Sequence, residues 1–217
     1  LLIINPDAVL KVGSIPALEV ARRLGEGPCL VGGKIYYQNG EEQRGGRREL
    51  LTLPRAIVSF SGLSNFEGLF PAFRNLHREK DPEPEGPVQM PVISGAFCYI
   101  SREDFDLVEG FDERYFLHVE DIDLCRKIAD HGGEVMYTPK AGALHYGSTS
   151  KVSASFVEWH KARGLSKYFE KYAKTPAGKL VARASLLIFA TLLIGRSTVI
   201  RSYHNLRTII RRLLMRR

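Results

Sequence analysis

Residues 94–150 hold an ordered series of small, acidic and histidine residues whose types could support chemistry. A small-residue turn at 94–96 is followed by an acidic turn at 111–113, an acidic helix start at 120–123 and a strand that ends in His145. Carboxylates at a helix start and a histidine at a strand end suit a metal-assisted transfer to a hydroxyl group. A purely structural domain has no need to gather them.

The acidic helix start has two interpretations. Glu120, Asp121 and Asp123 are favoured there by the helix macrodipole, which accounts for one or two of them without any function. Asp112 and Glu113 in the preceding turn add further negative charge, and acids crowded together repel one another. A cation or a hydroxyl-bearing substrate would relieve this repulsion. For Asp121 taken alone, capping and catalysis are equally supported.

Asn5 and Asp7 follow an apolar run, residues 1–4, which predicts a buried strand running into a polar loop. Ligands of open α/β sheets gather outside the carboxyl ends of strands, so Asp7 is well placed to hold a divalent cation that carries phosphate oxygens. From these residues alone, a proline-containing turn with Asp7 as a local acceptor is the more favoured interpretation.

His145 and the 94–96 turn also allow two interpretations each. A neutral imidazole before the flexible turn 146–148 could complete a metal or diphosphate site, although a lone histidine at a strand end is more often only hydrogen-bonded. Gly95 and Ala96 follow Ser94 without side-chain bulk. A sugar or base could therefore approach the backbone closely, or these residues could be close-packed in a sheet.

Strand-like and helix-like segments alternate along the chain, which predicts an α/β fold. The predicted strands are residues 1–4, 29–36, 92–100, 134–138 and 143–146. The predicted helices are residues 16–24 with Ser14 as the cap, 101–108, 120–129 and 156–173. Residues 38–87 are weakly patterned, and the segment 79–86, rich in Pro and Glu, is expected to form a surface loop.

The formal net charge of +7 belongs to the carboxyl-terminal part of the chain. Residues 177–217 hold nine Lys and Arg and no Asp or Glu, which leaves 22 basic against 24 acidic residues in the rest. A nucleic-acid-binding domain would carry the basic excess itself, so nucleic acid is not an expected partner. The three cysteines form no CxxC pair, which indicates packed, reduced thiols of a cytoplasmic protein and argues against a zinc site.

A helical tail over residues 176–217 is predicted beside a globular domain over residues 1–175. The tail contains an apolar run of twelve, residues 184–195, whereas a membrane-spanning helix needs about 20. Beyond that run, the apolar residues Val199, Leu206, Ile210 and Leu213 fall on one helical face. Much of the remaining surface is basic, with Arg201, Arg207, Arg211 and Arg212. This pattern predicts an interfacial helix attracted to anionic lipid, with a packing helix or a dimer seam as alternatives.

The order of these signals resembles that of family 2 glycosyltransferases of the GT-A fold, particularly the rhamnosyltransferase-like branch that builds bacterial cell-surface polysaccharide. The similar segments are LLIINPDAVL at residues 1–10 and the stretch from GAFCYIS to LHYGSTS at residues 95–150. The resemblance covers about residues 1–170 and implies a mixed, Rossmann-like sheet flanked by helices. It also implies a nucleotide-binding half before Leu1, which the chain is therefore expected to lack.

The resemblance assigns roles to matching positions. The DxD-type metal motif of the family matches residues 5–7, with Asn5 in place of the first acid and Asp7 as the last. The late histidine near the metal matches His145. The ED motif matches Glu120 and Asp121, which implies Asp121 as the catalytic base.

Two further segments take part in the implied site. The turn of Ser94, Gly95 and Ala96 would line the donor and acceptor site. Asp112 and Glu113 would shape the acceptor pocket or brace the helix of the ED motif.

The implied reaction is a metal-dependent, inverting transfer of a sugar such as rhamnose from a nucleotide-sugar donor. The acceptor is a hydroxyl of a cell-surface polysaccharide or a lipid-linked saccharide, the cation is Mg²⁺ or Mn²⁺, and the protein lies at the cytoplasmic face of the cell membrane. The alternative is a non-catalytic remnant that binds glycan or a partner protein. Asn5 and the expected lack of an amino-terminal half favour the alternative, while the acidic series and His145 favour transfer.

Overall fold

A computed structural model describes residues 1–146 and 152–214, with side chains up to Val199 and at Ser202 and Arg207. The strands are Leu2–Ile4 (β1), Ala8–Leu10 (β2), Cys29–Tyr36 (β3), Arg47–Arg48 (β4), Val88–Gln89 (β5), Val92–Ile93 (β6), Phe97–Ile100 (β7) and Glu134–His145 (β8). The helices are Ser14–Arg22 (α1), Leu53–Ser61 (α2), Arg102–Leu107 (α3), Glu120–Asp130 (α4), Ala154–Lys171 (α5) and Pro176–Leu214 (α6).

Six strands form one mixed sheet, which confirms the predicted α/β class. Their hydrogen-bonded order is β1-β7-β3-β8-β2, with β5 paired to β8 beside that path, while β4 and β6 form a separate pair. β3 and β8 are parallel, and the other pairs in the main sheet are antiparallel. A mixed sheet flanked by helices is compatible with a Rossmann-like arrangement.

The main sheet cannot be flat, because β1 and β2 lie at its opposite edges and are joined by only three residues. The chain from Ile4 to Ala8 can reach at most about 14 Å. Four spacings between flat strands would take about 19 Å. The parallel register of β3 and β8 shifts between Gly33 and Lys34, which is where a bulge would bend the sheet. Curvature therefore brings the two edges together at the loop of residues 5–7.

Helices cover both faces of this sheet. In β3, Leu30 belongs to a core with α4, α5 and α6, whereas the next residue, Val31, belongs to a smaller core with Leu18 of α1. Successive side chains of a strand point to opposite faces, so α1 covers one face and the later helices cover the other. The start of α4 is thereby held against the sheet at the end where β6 and β7 meet.

The amino-terminal elements differ from the prediction in two respects. β1 is half-exposed, not buried, because it is an edge strand paired only with β7. Ser14 is the first residue of α1, and Gly13 occupies the cap position. The Ser14 hydroxyl instead donates to the carbonyl of Gly142 at 2.9 Å and accepts from its N–H at 3.0 Å, which ties α1 to β8.

The predicted strand boundaries between residues 92 and 146 were also wrong. Residues 92–100 form two strands, β6 and β7, separated by the 94–96 turn. Residues 134–145 form one strand because pairing with β3 continues after a register shift. Pro139 lies at that shift and has no N–H to donate, which gave the sequence its apparent break.

The weakly patterned segment 38–87 contains more structure than the sequence predicted. α2 has Thr52 as its N-cap, with its side chain accepting from the Arg55 N–H at 3.4 Å, and Gly62 as its C-cap. Arg47 and Arg48 of β4 are buried. The expected surface loop at 79–86 is confirmed, since these residues form no helix or strand.

α6 packs on α5 and α2 through one face. The ring of Phe189 stacks on Phe169 at 5.8 Å and meets the edge of Phe60 at 6.2 Å. Within the described residues, one helix, over Pro176–Val199, is long and apolar enough to cross a membrane by length and composition. The structure describes no side chain for six residues of the two predicted faces of the tail: Arg201, Leu206, Ile210, Arg211, Arg212 and Leu213. Gly147 and Ser148, in the predicted turn after His145, lie outside the described residues.

Candidate active site

A cavity of about 460 Å³ lies at the end of the sheet where β1, β7 and the start of α4 meet. We call it the central cavity. Seven residues predicted from the sequence line it: Asn5, Ser94, Gly95, Ala96, Glu120, Asp121 and His145. The fold therefore brings together side chains that are more than 100 positions apart in the sequence.

Asn5, Asp7 and His145 form one contact group at the edge of this cavity. The His145 Nε2 atom lies 3.2 Å from the Asn5 Nδ2 atom and 3.1 Å from an Asp7 carboxylate oxygen. Antiparallel pairing of Ala8 with His145 fixes their backbones side by side. Gln43 contacts the other ring nitrogen, Nδ1, at 2.5 Å. Asp7 does not line the central cavity itself but reaches it through His145.

This group offers two classical ligand types for a divalent cation, a carboxylate and an imidazole. Within residues 1–146 and 152–214, no group of three or more His, Cys, Asp and Glu side chains is placed to hold a metal ion. Mg²⁺ and similar ions commonly take one or two carboxylates from the protein and their remaining ligands from water and substrate phosphates. The donor set therefore fits a cation shared with a phosphate-bearing substrate, not a cation enclosed by protein.

Asp121 is anchored by a buried arginine and by the backbone. Its Oδ2 atom accepts from Arg48 Nη2 at 2.6 Å and from the Gly95 N–H at 3.1 Å, and its Oδ1 atom accepts from the Ile122 N–H at 2.8 Å. Burial alone would raise the pKa of this carboxyl, but the charge and hydrogen bond of Arg48 outweigh burial and lower it. A carboxylate offers about four lone-pair positions, so one remains open on Oδ1.

Glu120, the neighbour of Asp121, has the opposite environment. Burial, followed by the charge of Asp121, raises the pKa of Glu120 to about 7. Its Oε2 atom is buried and has no hydrogen-bond partner in the described structure. Two adjacent acids thus titrate in different pH ranges, which is an arrangement found at acid–base sites.

The turn that leads into α4 is strained. His118 and Val119 both have left-handed backbones, with φ of 62° and 75°. Such a conformation is unusual for a β-branched residue like Val119 and costs about 1–3 kcal/mol per residue. Gly164 of α5 packs against this turn, where an added Cβ would lie 3.1 Å from Val119. Strain of this kind is common where a fold fixes functional side chains.

The remaining predicted acids lie outside the central cavity. Asp112 forms ion pairs with Arg114 at 2.6 Å and with Lys171 at 2.9 Å, and its pKa is lowered mainly by the hydrogen bond from Arg114. Lys171 also pairs with the fully buried Asp123 at 2.8 Å, which links the acidic turn to α4 through α5. Glu113 is exposed. These contacts correspond to the bracing alternative for Asp112, because they hold α4 in place.

Sequence reasoning missed five polar side chains of the central cavity: Gln43, Arg44, Arg48, His77 and Lys161. The first four come from the weakly patterned segment, where the only signal is the basic run RGGRR at residues 44–48. Lys161 lies within α5, where a charged residue usually belongs to the solvated face. His118 was interpreted as an ordinary surface or turn residue, but it also lines this cavity.

Part of the chain is similar to known rhamnosyltransferases. Over 78 residues, 34% of this chain and 25% of the relative, it is 38% identical to an N-acetylglucosaminyl-diphospho-decaprenol L-rhamnosyltransferase of Mycobacterium tuberculosis, in both strain CDC 1551 / Oshkosh and strain ATCC 25618 / H37Rv. Over 70 residues, 31% of this chain and 26% of the relative, it is 39% identical to rhamnosyltransferase WbbL of Escherichia coli strain K12.

The matched segment thus spans about a quarter of the length of each of these relatives. No family model matches the chain. The similarity supports a relation to glycosyltransferases, in agreement with the resemblance inferred from the acidic series.

Proposed function

We propose that the chain carries the catalytic carboxylate of a glycosyltransferase that moves a sugar from a nucleotide-sugar donor to a hydroxyl of a lipid-linked or polysaccharide acceptor. The observation that carries this proposal is the convergence of Asn5, Gly95, Glu120, Asp121 and His145 on one cavity. Similarity to rhamnosyltransferases supports rhamnose as the sugar. The mixed sheet flanked by helices is consistent with a GT-A fold.

Asp121 is the proton acceptor in this proposal. Its open lone pair on Oδ1 would receive the proton of the acceptor hydroxyl as that oxygen attacks the anomeric carbon and the bond to the donor diphosphate breaks. Arg48 and Gly95 fix the carboxylate, so no reorientation is needed during the reaction. A single displacement from the face opposite the diphosphate inverts the anomeric configuration.

The small turn and the histidine group take the donor side. Ser94, Gly95 and Ala96 present backbone to the cavity, and an added Cβ at Gly95 would lie 3.0 Å from the Asp121 Cβ. Asp7 and His145, with the side-chain oxygen of Asn5, are the residues that would hold Mg²⁺ or Mn²⁺. A cation bound there supplies charge neutralisation on the donor diphosphate.

The Asp121→Asn variant tests this function. We expect transfer to fall by about 10²–10⁴-fold, because an amide cannot accept the proton, while donor binding stays near the wild-type value. Transfer is measured on the full-length protein with labelled nucleotide sugars, and donor binding is measured by calorimetry. Asp130→Asn is the matched control, since Asp130 lies at the exposed end of the same helix and pairs with Arg126 of that helix.

Near-normal turnover of Asp121→Asn would remove Asp121 from the base role. The observation on the side of the non-catalytic alternative is that no three or more His, Cys, Asp and Glu side chains among the described residues are grouped to hold a metal ion. It predicts that the wild-type protein binds glycan but hydrolyses no nucleotide sugar with or without Mn²⁺. Hydrolysis that depends on Mn²⁺ and is lost in Asp7→Asn would contradict that alternative.

A further inference from the structure

A second cavity, of about 490 Å³, adjoins the central cavity on the side of α5 and α6. We call it the basic cavity. The two share Arg44, Phe60, His77 and Lys161, so they form a continuous space. Arg196 and Ser197 of α6 and Glu158 of α5 complete its polar lining. The proposed mechanism uses none of these groups.

Cations outnumber carboxylates in the basic cavity. The side chains of Arg44, Lys161 and Arg196 have no hydrogen bond or ion pair within the described part of the chain, although Lys161 lies over the ring of Phe60 at 5.0 Å. Glu158 is the one acid among the described lining residues, and its Oε2 atom is buried without a hydrogen-bond partner. Arg48, which is engaged with Asp121, adds a further positive charge nearby.

The titratable groups respond to this excess of positive charge. Burial lowers the pKa of Lys161, the charge of Glu158 raises it, and Arg44, Arg48 and Arg196 lower it again. Burial, followed by the charges of Arg44, Arg48, Lys161 and Arg196, lowers the pKa of His77 to about 2, so this histidine stays neutral. Cations held together at such a cost are stabilised by an anion that binds among them.

The position of the cavity selects among anions. Its wall on one side is α6, through Leu193, Arg196 and Ser197, while the exposed apolar side chains Leu187 and Ile188 of the same helix lie outside the cavity. A ligand with a phosphate group in the basic cavity and a long apolar chain could reach this apolar surface where its chain leaves the cavity past α6. Its other end would reach the central cavity, where the proposed base Asp121 lies.

We infer that the basic cavity binds the diphosphate of an isoprenoid-linked acceptor, with the acceptor sugar in the central cavity and the isoprenoid chain along α6. This inference rests on the proposed function, because it assumes that an acceptor hydroxyl must reach Asp121. Arginine and lysine side chains suit the two phosphates, since guanidinium groups bind phosphate oxygens in pairs and ammonium groups bind as point charges.

The test is the binding of farnesyl diphosphate, measured by calorimetry without any donor. We expect Lys161→Gln and Arg196→Gln each to weaken binding about tenfold or more, since each removes a charged hydrogen-bond donor. Glu158→Gln removes a negative charge from the cavity and should therefore strengthen binding of farnesyl diphosphate. The matched controls are Arg163→Gln on α5 and Lys179→Gln on α6, which remove the same charge outside this cavity and should leave binding unchanged.

Three other ligands identify the source of the phosphate. Inorganic pyrophosphate should bind more weakly than farnesyl diphosphate, because it lacks the apolar chain. Thymidine diphosphate with Mn²⁺ should bind Lys161→Gln as tightly as the wild type. Loss of nucleotide binding in Lys161→Gln would overturn the inference, because the cations would then belong to the donor site. Phosphatidylglycerol vesicles that compete fully with farnesyl diphosphate would also overturn it in favour of a membrane headgroup.

Failure of the inference and failure of the proposed function give different results. Equal binding of farnesyl diphosphate by Lys161→Gln, Arg196→Gln and the wild type would refute the basic cavity as the diphosphate site and leave transfer untouched. In transfer assays, the inference requires Lys161→Gln to raise the KM for an isoprenoid-diphosphate acceptor while the donor KM stays constant. Absence of transfer by every protein tested, with intact farnesyl diphosphate binding, would instead refute the proposed function.

Discussion

At the scale of single residues, the candidate site depends on two adjacent carboxyl groups with different surroundings. Asp121 has Arg48, Gly95 and Ile122 as hydrogen-bond donors and stays ionised. Glu120 has a buried oxygen without a partner and a pKa raised to about 7 by burial and by the charge of Asp121. The ionised form of Glu120 is therefore destabilised in the folded protein near neutral pH.

Glu120→Gln should stabilise the protein at pH 8 and lose that advantage in acid. A raised pKa means that the folded state binds more protons than the unfolded state between about pH 4.5 and 7, so wild-type stability falls as pH rises through that range. We expect the variant to gain about 1–2 kcal/mol in the free energy of unfolding at pH 8, and little at pH 4. Urea denaturation at both pH values measures the difference.

The control for this prediction is Glu103→Gln, at an exposed position in the first turn of α3. Its stability should differ from the wild type by the same small amount at both pH values. If the difference in the free energy of unfolding between the wild type and Glu120→Gln were the same at pH 4 and pH 8, it would contradict the raised pKa of Glu120.

At the scale of elements, the position of α4 depends on its link to α5. Lys171, near the end of α5, pairs with Asp112 in the acidic turn and with Asp123 in α4. Asp123 is 0% exposed and also accepts from the hydroxyl of Tyr172 at 2.9 Å. A buried carboxylate that loses its cation pays a large desolvation penalty.

Lys171→Met should lower the free energy of unfolding by about 2–4 kcal/mol, because it leaves Asp123 buried and unpaired. Thermal and urea denaturation measure the loss. Lys167→Met, one turn earlier in α5, removes only an exposed hydrogen bond to the Arg114 carbonyl and should change stability by about 0.5 kcal/mol or less. Equal effects of the two substitutions would show that the Lys171 pairs do not hold α4.

Local sequence patterns predicted the elements that carry their own signals. The predicted helices at 101–108 and 120–129 lie within one residue of α3 and α4 at each end, because Ser101 caps α3 and two glycines follow the end of α4. β2 and β4 were not predicted, since strands of two or three residues have no periodicity and exist through pairing with β8 and β6. Tertiary contacts decided these elements, as they decided the hydroxyl contacts of Ser14.

The residues of the candidate site also divide into those that local sequence signals predicted and those that they did not. Asn5, Asp121 and His145 were predicted because each follows a strand or begins a helix, where fold geometry limits the side-chain position. Arg48 and Lys161 were not, because a basic residue in a loop-like segment or within a helix has no local mark of burial. Only the packing of β4 and α5 around the cavity shows that these cations face it.

At the scale of the whole molecule, α6 combines a protein-facing and an exposed apolar surface. Ala182, Phe189 and Leu193 are buried against the domain, while Leu187 is 73% exposed and Ile188 47% exposed. The helix over Pro176–Val199 is long and apolar enough to cross a membrane. The sequence alone suggested an apolar run of twelve residues, too short to span a membrane, followed by an interfacial helix. We propose that this surface attaches the protein to the cytoplasmic face of the cell membrane.

Leu187→Glu should therefore reduce cosedimentation of the protein with phosphatidylglycerol vesicles at least several-fold, since a buried leucine contributes about 1.5–3 kcal/mol to lipid attachment and a carboxylate is repelled by anionic lipid. Val12→Glu is the control, because Val12 is 97% exposed in a loop remote from α6 in the sequence. Wild-type protein that stays in the supernatant would contradict membrane attachment.

The bend of the main sheet has a consequence for how this protein could be altered. The loop of residues 5–7 spans from one sheet edge to the other, so the curvature sets how far Asn5 and Asp7 stand from Asp121. An added methyl group at Gly33 would meet the ring of Phe97 at 2.2 Å, close to the register shift. Substitutions inside the bent sheet are thus expected to change the separation between these side chains while every residue that lines the central cavity keeps its identity.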